Sequence, residues 1–405
     1  MAHFNGNMKV KWLIPIATAL CITICQAQGE RDDDTKPPEA TGEEFELPFW
    51  DIPDMKGGFI DPTPENRQDG LEVGSLGGKT GNRETMIQLG REIAAGRHGN
   101  FDGLLIVHKG QLVFESYYLK GRVDLPHPQA SATKAYTSFA VGRAIQLGYL
   151  SMDDLDKPLI SFLEELDRSR LVAGAEKITL HHALTMRSGI RLTREQRDNL
   201  ELDSTRVKGQ GQVQAYLEDT KPITEESQVF EYKFDPMLVM QVLEAVVPGS
   251  AKDFIKRELL DKLGITNYGW QTDVSGLPKS GSRSSLTARD MMKWGLLAAN
   301  DGKWNGEQLI PKSYVNKAIN RIVTDSEDEN FDDYNGVSNI GYGYYWWQAD
   351  LEAGGTKYFS TSAQGGSGQM IILIEELDLI VVTTVHRLEI RVLQLVADRI
   401  LPAFI

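Results

Sequence analysis

Cysteine is almost absent from this chain of 405 residues, which contains only Cys21 and Cys25. Both lie in residues 1–27, where two lysines precede a short apolar run and small residues end at Ala27. This pattern is typical of a secretory signal that is removed by cleavage. Cleavage after Ala27 would leave a mature chain without cysteine. Disulfide bonds, thiolate metal sites and cysteine nucleophiles would then all be excluded.

The same segment predicts the compartment. The apolar run of residues 12–25 is too short for a membrane span and contains Pro15, so we expect a secreted protein in the bacterial periplasm, without an integral membrane span. Translation from Met8 would give the same signal. Lipid attachment at Cys25 is the disfavoured alternative, because Ile24 before it is bulkier than a lipoprotein site normally accepts.

Positively charged residues are in the minority: the chain has 43 Lys and Arg and 57 Asp and Glu, which gives a formal net charge of -14. Residues 1–27 contain two lysines and no acidic residue, so their removal changes the formal net charge from -14 to -16. Such a surface repels nucleic acid and other polyanions, so we expect no nucleic-acid partner and a neutral or cationic substrate. The seven histidines include no pair at metal-site spacing, and we expect neither a metal nor a cofactor.

Strand-rich sequence is present at both ends of the chain, with helical sequence between. Residues 28–48 are acidic, contain proline and lack an apolar period, which predicts a disordered tether before one folded domain at 49–405. Helical patterns fill about 135–335. The order predicts an α+β fold in which an antiparallel sheet is built from both termini, flanked by helices and joined to an inserted all-helical subdomain.

The predicted elements are as follows. Strands are expected at 103–108, 111–117, 342–348, 357–360, 369–374 and 379–385. Helices are expected at 84–95, 131–150, 160–166, 181–186, 211–217, 235–246, 251–263, 287–299 and 388–401. Asp235 is the expected N-cap of one helix, with Pro236 at its first position.

The segment 127–134 contains a hydroxyl and an amine three residues apart, Ser131 and Lys134, at the start of a predicted helix. On a helix the two side chains share a face. A serine becomes a nucleophile when a base takes its proton, and a lysine in a dry site loses its own proton easily enough to serve. Unpaired N–H groups at the helix start favour negative charge on an attacked carbonyl. Ser-x-x-Lys also arises by chance, roughly once or twice in such a chain, as a capping serine and a solvated lysine.

Two further stretches are candidates for the other parts of such a site. Tyr232 lies in the loop before the helix at Asp235, where its hydroxyl can point into a cleft, although a core tyrosine is the ordinary alternative. The glycine-rich segment 364–369 opens a predicted strand and can present N–H groups to a ligand; a loop that needs positive φ angles is the alternative.

Three other residues carry expectations. Trp346 and Trp347 alternate along one predicted strand, so one is expected in the core and the other at a pocket. His386 follows the last strand, where packing at the strand end is favoured over a place near the cleft.

These stretches together resemble the serine β-lactamase and penicillin-binding-protein superfamily, in particular its class C and esterase-like branch. The resemblance covers roughly residues 101–405, and the stretches that carry it occur in the same order as in the family. The stretches that carry it are 131–134, 180–189, 286–291, 301–306, 341–347 and 368–383.

The resemblance implies a role for each candidate. Ser131 would be the acylated nucleophile, Lys134 its base and Tyr232 the tyrosine of the second motif. The third motif would fall at residues 366–368, that is Gly366, Ser367 and Gly368. The backbone N–H groups of Ser131 and Gln369 would form the oxyanion hole.

Two departures from the family pattern bear on substrate. Phe234 stands where the second motif usually has Asn or Ser, and Gly366 where the third usually starts with Lys or His. That cation normally fixes a substrate carboxylate through a charge-assisted contact worth about 1.5 to 3 kcal/mol. We therefore predict a secreted serine hydrolase acting on a small-molecule ester, amide or peptide through an acyl-enzyme. A D-alanyl peptidase, a true β-lactamase and a non-catalytic binding protein are the alternatives; the oligomeric state is left open.

Overall fold

An eight-stranded antiparallel sheet lies at the centre of our computed structural model, which describes residues 36–387 and 391–405. The strands of the described chain are β1 Gly58–Asp61, β2 Asn100–His108, β3 Gln111–Tyr118, β4 His127–Pro128, β5 Gly269–Trp270, β6 Ser284–Leu286, β7 Lys303–Trp304, β8 Glu307–Gln308, β9 Val337–Tyr342, β10 Trp347–Ala353, β11 Thr356–Gln364, β12 Met370–Ile374 and β13 Leu379–Arg387. The large sheet has the order β1-β3-β2-β13-β12-β11-β10-β9. Its N-terminal and C-terminal strands meet where β2 pairs with β13, as predicted.

Both faces of the sheet are covered, which explains the near-continuous apolar sequences of its central strands. Alternate side chains belong to two separate cores. The face toward the helical body contains Leu105, Val107, Ile371, Leu373, Ile380 and Val382. The opposite face contains Leu104, Ile106, Ile372, Ile374 and Val381. Each such side chain stabilises the fold by about 1.5–3 kcal/mol relative to an exposed one, so the sheet is a rigid base for the site.

Helices cover the sheet. They are α1 Gly42–Glu46, α2 Arg83–Ala94, α3 Thr133–Gln146, α4 Leu180–Leu184, α5 Arg194–Glu201, α6 Gly211–Asp219, α7 Pro236–Val246, α8 Ala251–Ile255, α9 Ala288–Ala299, α10 Lys312–Ile319 and α11 Val392–Leu395. The fold class is confirmed as α+β. The inserted region at about 135–335 is not all helical, however, because β5 and β6 pair there, with β4 from just before it, and β7 and β8 form a hairpin.

The folded domain begins earlier than predicted. Residues 1–35, which include the predicted signal and part of the predicted tether, lie outside the described residues. The compact unit starts at Pro37, not at residue 49. The carbonyl of Pro38 accepts from Val123 N–H, and Thr41 caps α1. Glu44 of α1 forms a buried ion pair with Arg122 at 2.7 Å. This acidic segment has no periodic pattern of apolar residues and is held in place by specific polar contacts. A search for apolar periodicity in the sequence cannot detect such contacts.

One predicted strand proves to be two. The stretch 342–348 is interrupted, because β9 ends at Tyr342 and β10 begins at Trp347. The chain turns between them, and Tyr345 has a positive φ of 67°. A Cβ on Gly343 would lie 2.2 Å from the carbonyl oxygen of Ala318, so only glycine fits this close approach.

Several predicted helix boundaries are also corrected. The stretch 160–166 forms only a 3-10 turn, Leu159–Phe162. The helix predicted at 251–263 ends as α-helix at Ile255 and continues as a π-helical turn, Lys256–Leu260. In the final helix, residues 388–390 lie outside the described residues, and α11 passes into the π-helical turn Val396–Ile400.

Within the described ranges, no helix combines the length and apolar character needed to cross a membrane.

Candidate active site

Ser131 lies in a short 3-10 turn, Ala130–Ala132, immediately before α3 begins at Thr133. It therefore precedes the helix instead of occupying its first turn. The turn is tight: Ala130 has a positive φ of 46°, which is sterically unfavourable for a residue with a Cβ. The Thr133 hydroxyl donates to the carbonyl of Ala130 and lies 2.7 Å from the Ser284 hydroxyl of β6. These contacts fix the position of Ser131 between the sheet and α3.

Lys134 is placed against the serine. Its Nζ is 2.9 Å from the Ser131 Oγ and donates to the carbonyl oxygen of Gly281, also at 2.9 Å. The residue is only 5% exposed and has no carboxylate partner among the described residues. Burial without a counter-charge disfavours the ammonium form and lowers the pKa of Lys134 to about 7. A large share of the amine is therefore neutral near neutral pH and able to accept a proton.

Tyr232 is the third member of this cluster. The Lys134 Nζ lies 4.6 Å from the centre of its ring. Burial raises the pKa of the Tyr232 hydroxyl, while the neighbouring Ser131 and Trp347 side chains act in the opposite direction. Trp347 also packs against the ring, with centroids 5.4 Å apart. The structure thus brings together the three residues singled out in the sequence.

The loop that carries Tyr232 is held by a buried carboxylate. Asp235 occupies the N-cap position of α7 and Pro236 its first position, as predicted, but the Asp235 side chain makes no capping hydrogen bond. It accepts instead from the backbone N–H and the hydroxyl of Ser188, at 2.9 and 2.8 Å. Complete burial raises the pKa of Asp235 to about 6. Phe234 packs edge-on against Tyr216, so it supplies no polar group to the site.

Ser131 and Tyr232 open into a cavity of about 340 Å³. Trp347 lines this cavity, whereas Trp346 is fully buried, so one tryptophan of the pair is at a pocket as expected. Other residues that line the cavity include Glu329, Asp332, Gln348, Gln364, Gly365, Gly366 and Arg391.

The predicted third motif is only partly at this cavity. Gly366 lines it, but Ser367, Gly368 and Gln369 do not. Gln369 is buried elsewhere, and its side-chain amide donates to the carbonyl of Val385. The segment beside the nucleophile is thus the end of β11, not the entrance to β12. Gln369, the predicted oxyanion donor, is not among the residues that line the cavity.

The pairing of β11 points to a different donor, the N–H of Gln364. Gln364 lies opposite Met370 of β12. The hydrogen bond beside this pair runs from the Gly365 N–H to the Gln369 carbonyl. Since bonded and non-bonded pairs alternate in an antiparallel ladder, Gln364 and Met370 form a non-hydrogen-bonded pair. The N–H of Gln364 therefore points away from β12, toward the side where β10 has not yet begun. That side is the cavity.

Gly365 explains how β11 approaches the nucleophile so closely. A Cβ at this position would lie 2.5 Å from the carbonyl oxygen of Gln129, two residues before Ser131. A glycine is needed for this contact between the strand end and the serine turn.

Some functional candidates were invisible in the sequence. The carbonyl of Gly281 carries no side-chain signature, although it orients the lysine. The acidic loop around Glu329 and Asp332 could be recognised by composition, but nothing in the sequence connected it to Ser131.

His386 has a structural role, as favoured from the sequence. Its Nδ1 and the Nε2 of His127 each lie 2.9 Å from the carboxylate of Asp102, which is fully buried. Burial is the largest single influence on the pKa of Asp102 and raises it. The contacts with His127 and His386 act in the opposite direction, and the net result is a lowered pKa. The three residues join β2, β4 and β13.

This sheet between two helical layers, with the Ser131 turn at the end of β11, defines a serine hydrolase fold of the β-lactamase and penicillin-binding-protein kind. The chain belongs to the Beta-lactamase family, whose sequence model matches residues 91–401.

Relatives and solved structures agree with this placement. An uncharacterised protein of Alkalihalophilus pseudofirmus is 24% identical over 261 residues, covering 61% of this chain and 70% of that protein. A Bacillus anthracis structure, provisionally named a 6-aminohexanoate-dimer hydrolase, has a TM-score of 0.57 at 19% identity, covering 85% of this chain and 86% of the other.

Two more structures are similar in fold. EstCE1, described as a hydrolase with promiscuous acyltransferase activity, has a TM-score of 0.56 at 14% identity, covering 76% of this chain and 93% of its own. A D-stereospecific amidohydrolase from Streptomyces has a TM-score of 0.51 at 16% identity, covering 73% and 92%. At these identities the likeness concerns the fold.

Proposed function

We propose that the protein is a secreted serine hydrolase that cleaves a small ester or amide through an acyl-enzyme intermediate. The observation that carries this proposal is the 2.9 Å contact between the Ser131 Oγ and a buried Lys134 whose pKa is lowered to about 7. A nucleophile beside a base of matched pKa, itself oriented by a third group, is the arrangement that covalent catalysis requires. Here the third group is the carbonyl of Gly281.

The first half of the reaction is acylation. Neutral Lys134 takes the proton of the Ser131 hydroxyl as Oγ attacks the substrate carbonyl carbon. The carbonyl oxygen becomes an oxyanion, which the N–H groups of Ser131 and Gln364 stabilise by hydrogen bonds. Removal of one such donor typically costs 10²–10³-fold in rate, so the position of β11 matters as much as the base.

Collapse of this intermediate breaks the bond to the leaving alcohol or amine. The leaving atom needs a proton, and the Tyr232 hydroxyl lies beside Ser131 on the cavity side to transfer it, with Lys134 restoring the proton to the tyrosine. In the second half, water attacks the acyl-enzyme and the same groups return the proton to Ser131. The acid product then leaves.

The substrate we propose is neutral at the position where β-lactam substrates carry a carboxylate. Gly366 at the cavity has no heavy atom within 4 Å of the place its Cβ would occupy, so no neighbouring side chain fills the space of the family's usual cation. Two proteins of similar fold, EstCE1 and the Streptomyces enzyme, are described as a hydrolase and an amidohydrolase, which supports an ester or amide substrate. A dedicated β-lactamase or D-alanyl peptidase activity is correspondingly disfavoured.

The test is covalent labelling of the full chain with a fluorophosphonate. We expect one mass adduct per protein molecule, located on the peptide that contains Ser131, and none on Ser131→Ala. A panel of p-nitrophenyl esters, a chromogenic cephalosporin and a D-alanyl dipeptide then ranks the substrates. Absence of an adduct on a folded protein would favour a binding protein instead, and cephalosporin turnover above that of the esters would overturn the substrate argument.

A further inference from the structure

A turn beside the active-site cavity is anchored in the hydrophobic core through an aromatic side chain. Glu329, Asn330 and Asp332 line the cavity and are exposed. Phe331 lies between them in sequence, at the end of the 3-10 turn Glu329–Phe331, and is half-buried. Unlike these neighbours, it packs against the main core of the protein. The turn that borders the cavity is therefore attached to the core by Phe331.

Phe331 contacts two aromatic residues that surround Tyr232. The centroid of its ring lies 4.9 Å from that of Phe230 and 5.7 Å from that of Trp347, and both contacts are edge-on. The Tyr232 centroid lies 5.4 Å from that of Trp347 and 6.5 Å from that of Phe230. Tyr342 completes the group, with its centroid 6.1 Å from that of Tyr232. These five residues form an aromatic cluster with the spacing at which such rings attract one another.

Two members of the aromatic cluster are fixed by the sheet. Tyr342 and Trp347 are paired across β9 and β10, and both are buried. The hydrogen bonds of the turn that carries Phe331 are local instead. The Asn330 N–H donates to the Asp328 carboxylate, and the Phe331 N–H donates to the Asp328 carbonyl. The Phe331 ring thus joins this turn to the strand that carries Trp347.

The position of Trp347 matters because Tyr232 packs against it. A proton is transferred only within hydrogen-bond reach, about 2.6–3.2 Å between the heavy atoms, and a displacement of about 1 Å can cost 10²-fold in rate. Protein interiors are close-packed, so neighbouring side chains relax into the space that a removed ring leaves. Loss of the Phe331 ring would let Trp347 and Phe230 shift, and the Tyr232 ring with them.

We propose that Phe331 is a positioning residue, which acts through Trp347 and Phe230 to hold the Tyr232 hydroxyl beside Ser131. This inference rests on the proposed hydrolase function. As the bond from the carbonyl carbon to the leaving oxygen breaks, its electron pair goes to that oxygen and Tyr232 supplies the proton. Phe331 therefore determines how well the enzyme expels leaving groups that need a proton.

The experiment compares two butanoate esters that differ in their leaving group. p-Nitrophenolate is stable enough to leave without a proton, whereas ethoxide is strongly basic and needs one. The quantity measured is kcat/KM, which reports acylation, the half-reaction in which the leaving group departs. For Phe331→Ala we expect kcat/KM to fall about 10–100-fold with ethyl butanoate and less than about threefold with p-nitrophenyl butanoate. Tyr232→Phe should show the same selectivity with a larger loss.

Further variants test whether the effect depends on Tyr232. Phe331→Tyr keeps the ring and should restore the wild-type ratio of the two kcat/KM values. In the Tyr232→Phe background, Phe331→Ala should leave the ratio unchanged, because the group it positions is already gone. The matched control is Phe359→Ala, which removes a half-buried ring from β11, outside both the cavity and the aromatic cluster, and should keep the wild-type ratio.

The outcomes separate this inference from the hydrolase function. An equal fractional loss with both esters in Phe331→Ala, or a further change of the ratio in the Tyr232→Phe background, would reduce Phe331 to a structural contact while the Ser131 adduct still forms. Failure to hydrolyse either ester, with no Ser131 adduct, would refute the hydrolase function and this inference together. Melting temperatures show which variants are folded. If Phe331→Ala is not, Phe331→Leu, which keeps apolar volume without the ring, should show the same selectivity.

Discussion

At the scale of single residues, the protonation state of Lys134 decides whether Ser131 can react. Only the neutral amine accepts a proton, and burial lowers its pKa to about 7. As the pH rises through this value the amine loses its proton, so the active fraction grows with pH. The rate should therefore fall on the acid side.

We accordingly expect kcat/KM for a neutral p-nitrophenyl ester to rise about tenfold per pH unit well below 7 and to level off above it. The measurement is a pH profile corrected for spontaneous hydrolysis. Lys134→Arg, which stays protonated, should lose about 10²–10⁴-fold across the whole range. A flat profile between pH 5.5 and 8 would show that Lys134 is not the base.

The site also shows which residues a sequence can and cannot assign. Ser131 and Lys134 are three positions apart, so their proximity follows from local helical geometry. Tyr232 is distant in sequence; its place before the helix at Asp235 made it a candidate, but only the family resemblance distinguished it from the other tyrosines. Gln364 and Gln369 are both in one glycine-rich segment, and only the register of β11 against β12 distinguishes them. Pairing between strands is a non-local property, which is why the sequence alone could not choose between these two residues as the oxyanion donor.

At the scale of elements, the junction between β11 and the serine turn depends on Gly365. Because glycine has no Cβ, there is room beside Gly365 for the carbonyl oxygen of Gln129. This oxygen belongs to the backbone two residues before Ser131, so it cannot move without also moving Ser131. The neighbouring Gly366 faces open space, and neither glycine has a positive φ. The two positions therefore form a matched pair that differs only in the close contact.

We expect Gly365→Ala to destabilise the protein by about 1–3 kcal/mol through overpacking and to reduce fluorophosphonate labelling of Ser131. Gly366→Ala should keep the wild-type free energy of unfolding. Urea denaturation followed by tryptophan fluorescence measures the first quantity, and the labelling rate measures the second. Equal stability of the two variants would mean that the β11 junction relaxes freely.

Elements with a strong apolar period were predicted well from sequence, and elements shaped by contacts were not. Helices α6, α7 and α9 and strands β12 and β13 match their patterns within a few residues. The break at Gly343 escaped prediction because its cause, the carbonyl of Ala318, is far away in sequence. The helix α1 escaped because a buried ion pair holds it, without an apolar face.

At the scale of the whole molecule, Asp102 connects segments from both ends of the chain. Its carboxylate accepts from His127, which precedes the serine turn, and from His386 at the end of β13. Breaking one member of such a buried charged cluster typically costs several kcal/mol, because the remaining groups lose their partner. The cluster should thus stabilise the sheet as assembled from both termini.

We expect Asp102→Asn to lower the free energy of unfolding by about 2–4 kcal/mol at pH 7. The pKa of Asp102 is lowered from 3.8 in the folded protein, so its ionised form adds stability above that value and the added stability is lost as the pH falls through the folded pKa. The difference between variant and wild type should therefore shrink below about pH 4. Urea titrations at several pH values test this, and a gap that widens on acidification would contradict it.

The buried amine beside Ser131 has one more consequence, for folding itself. Because its pKa falls from 10.5 in the unfolded chain to about 7 in the native site, the native state holds fewer protons than the unfolded chain between these limits. Raising the pH from about 7 to 10.5 therefore stabilises the native state at this position, whereas below about 7 both states hold the proton and the contribution no longer changes. A falling pH would therefore weaken the enzyme twice, first by loosening the interior around the amine above about pH 7 and then by protonating the base below it.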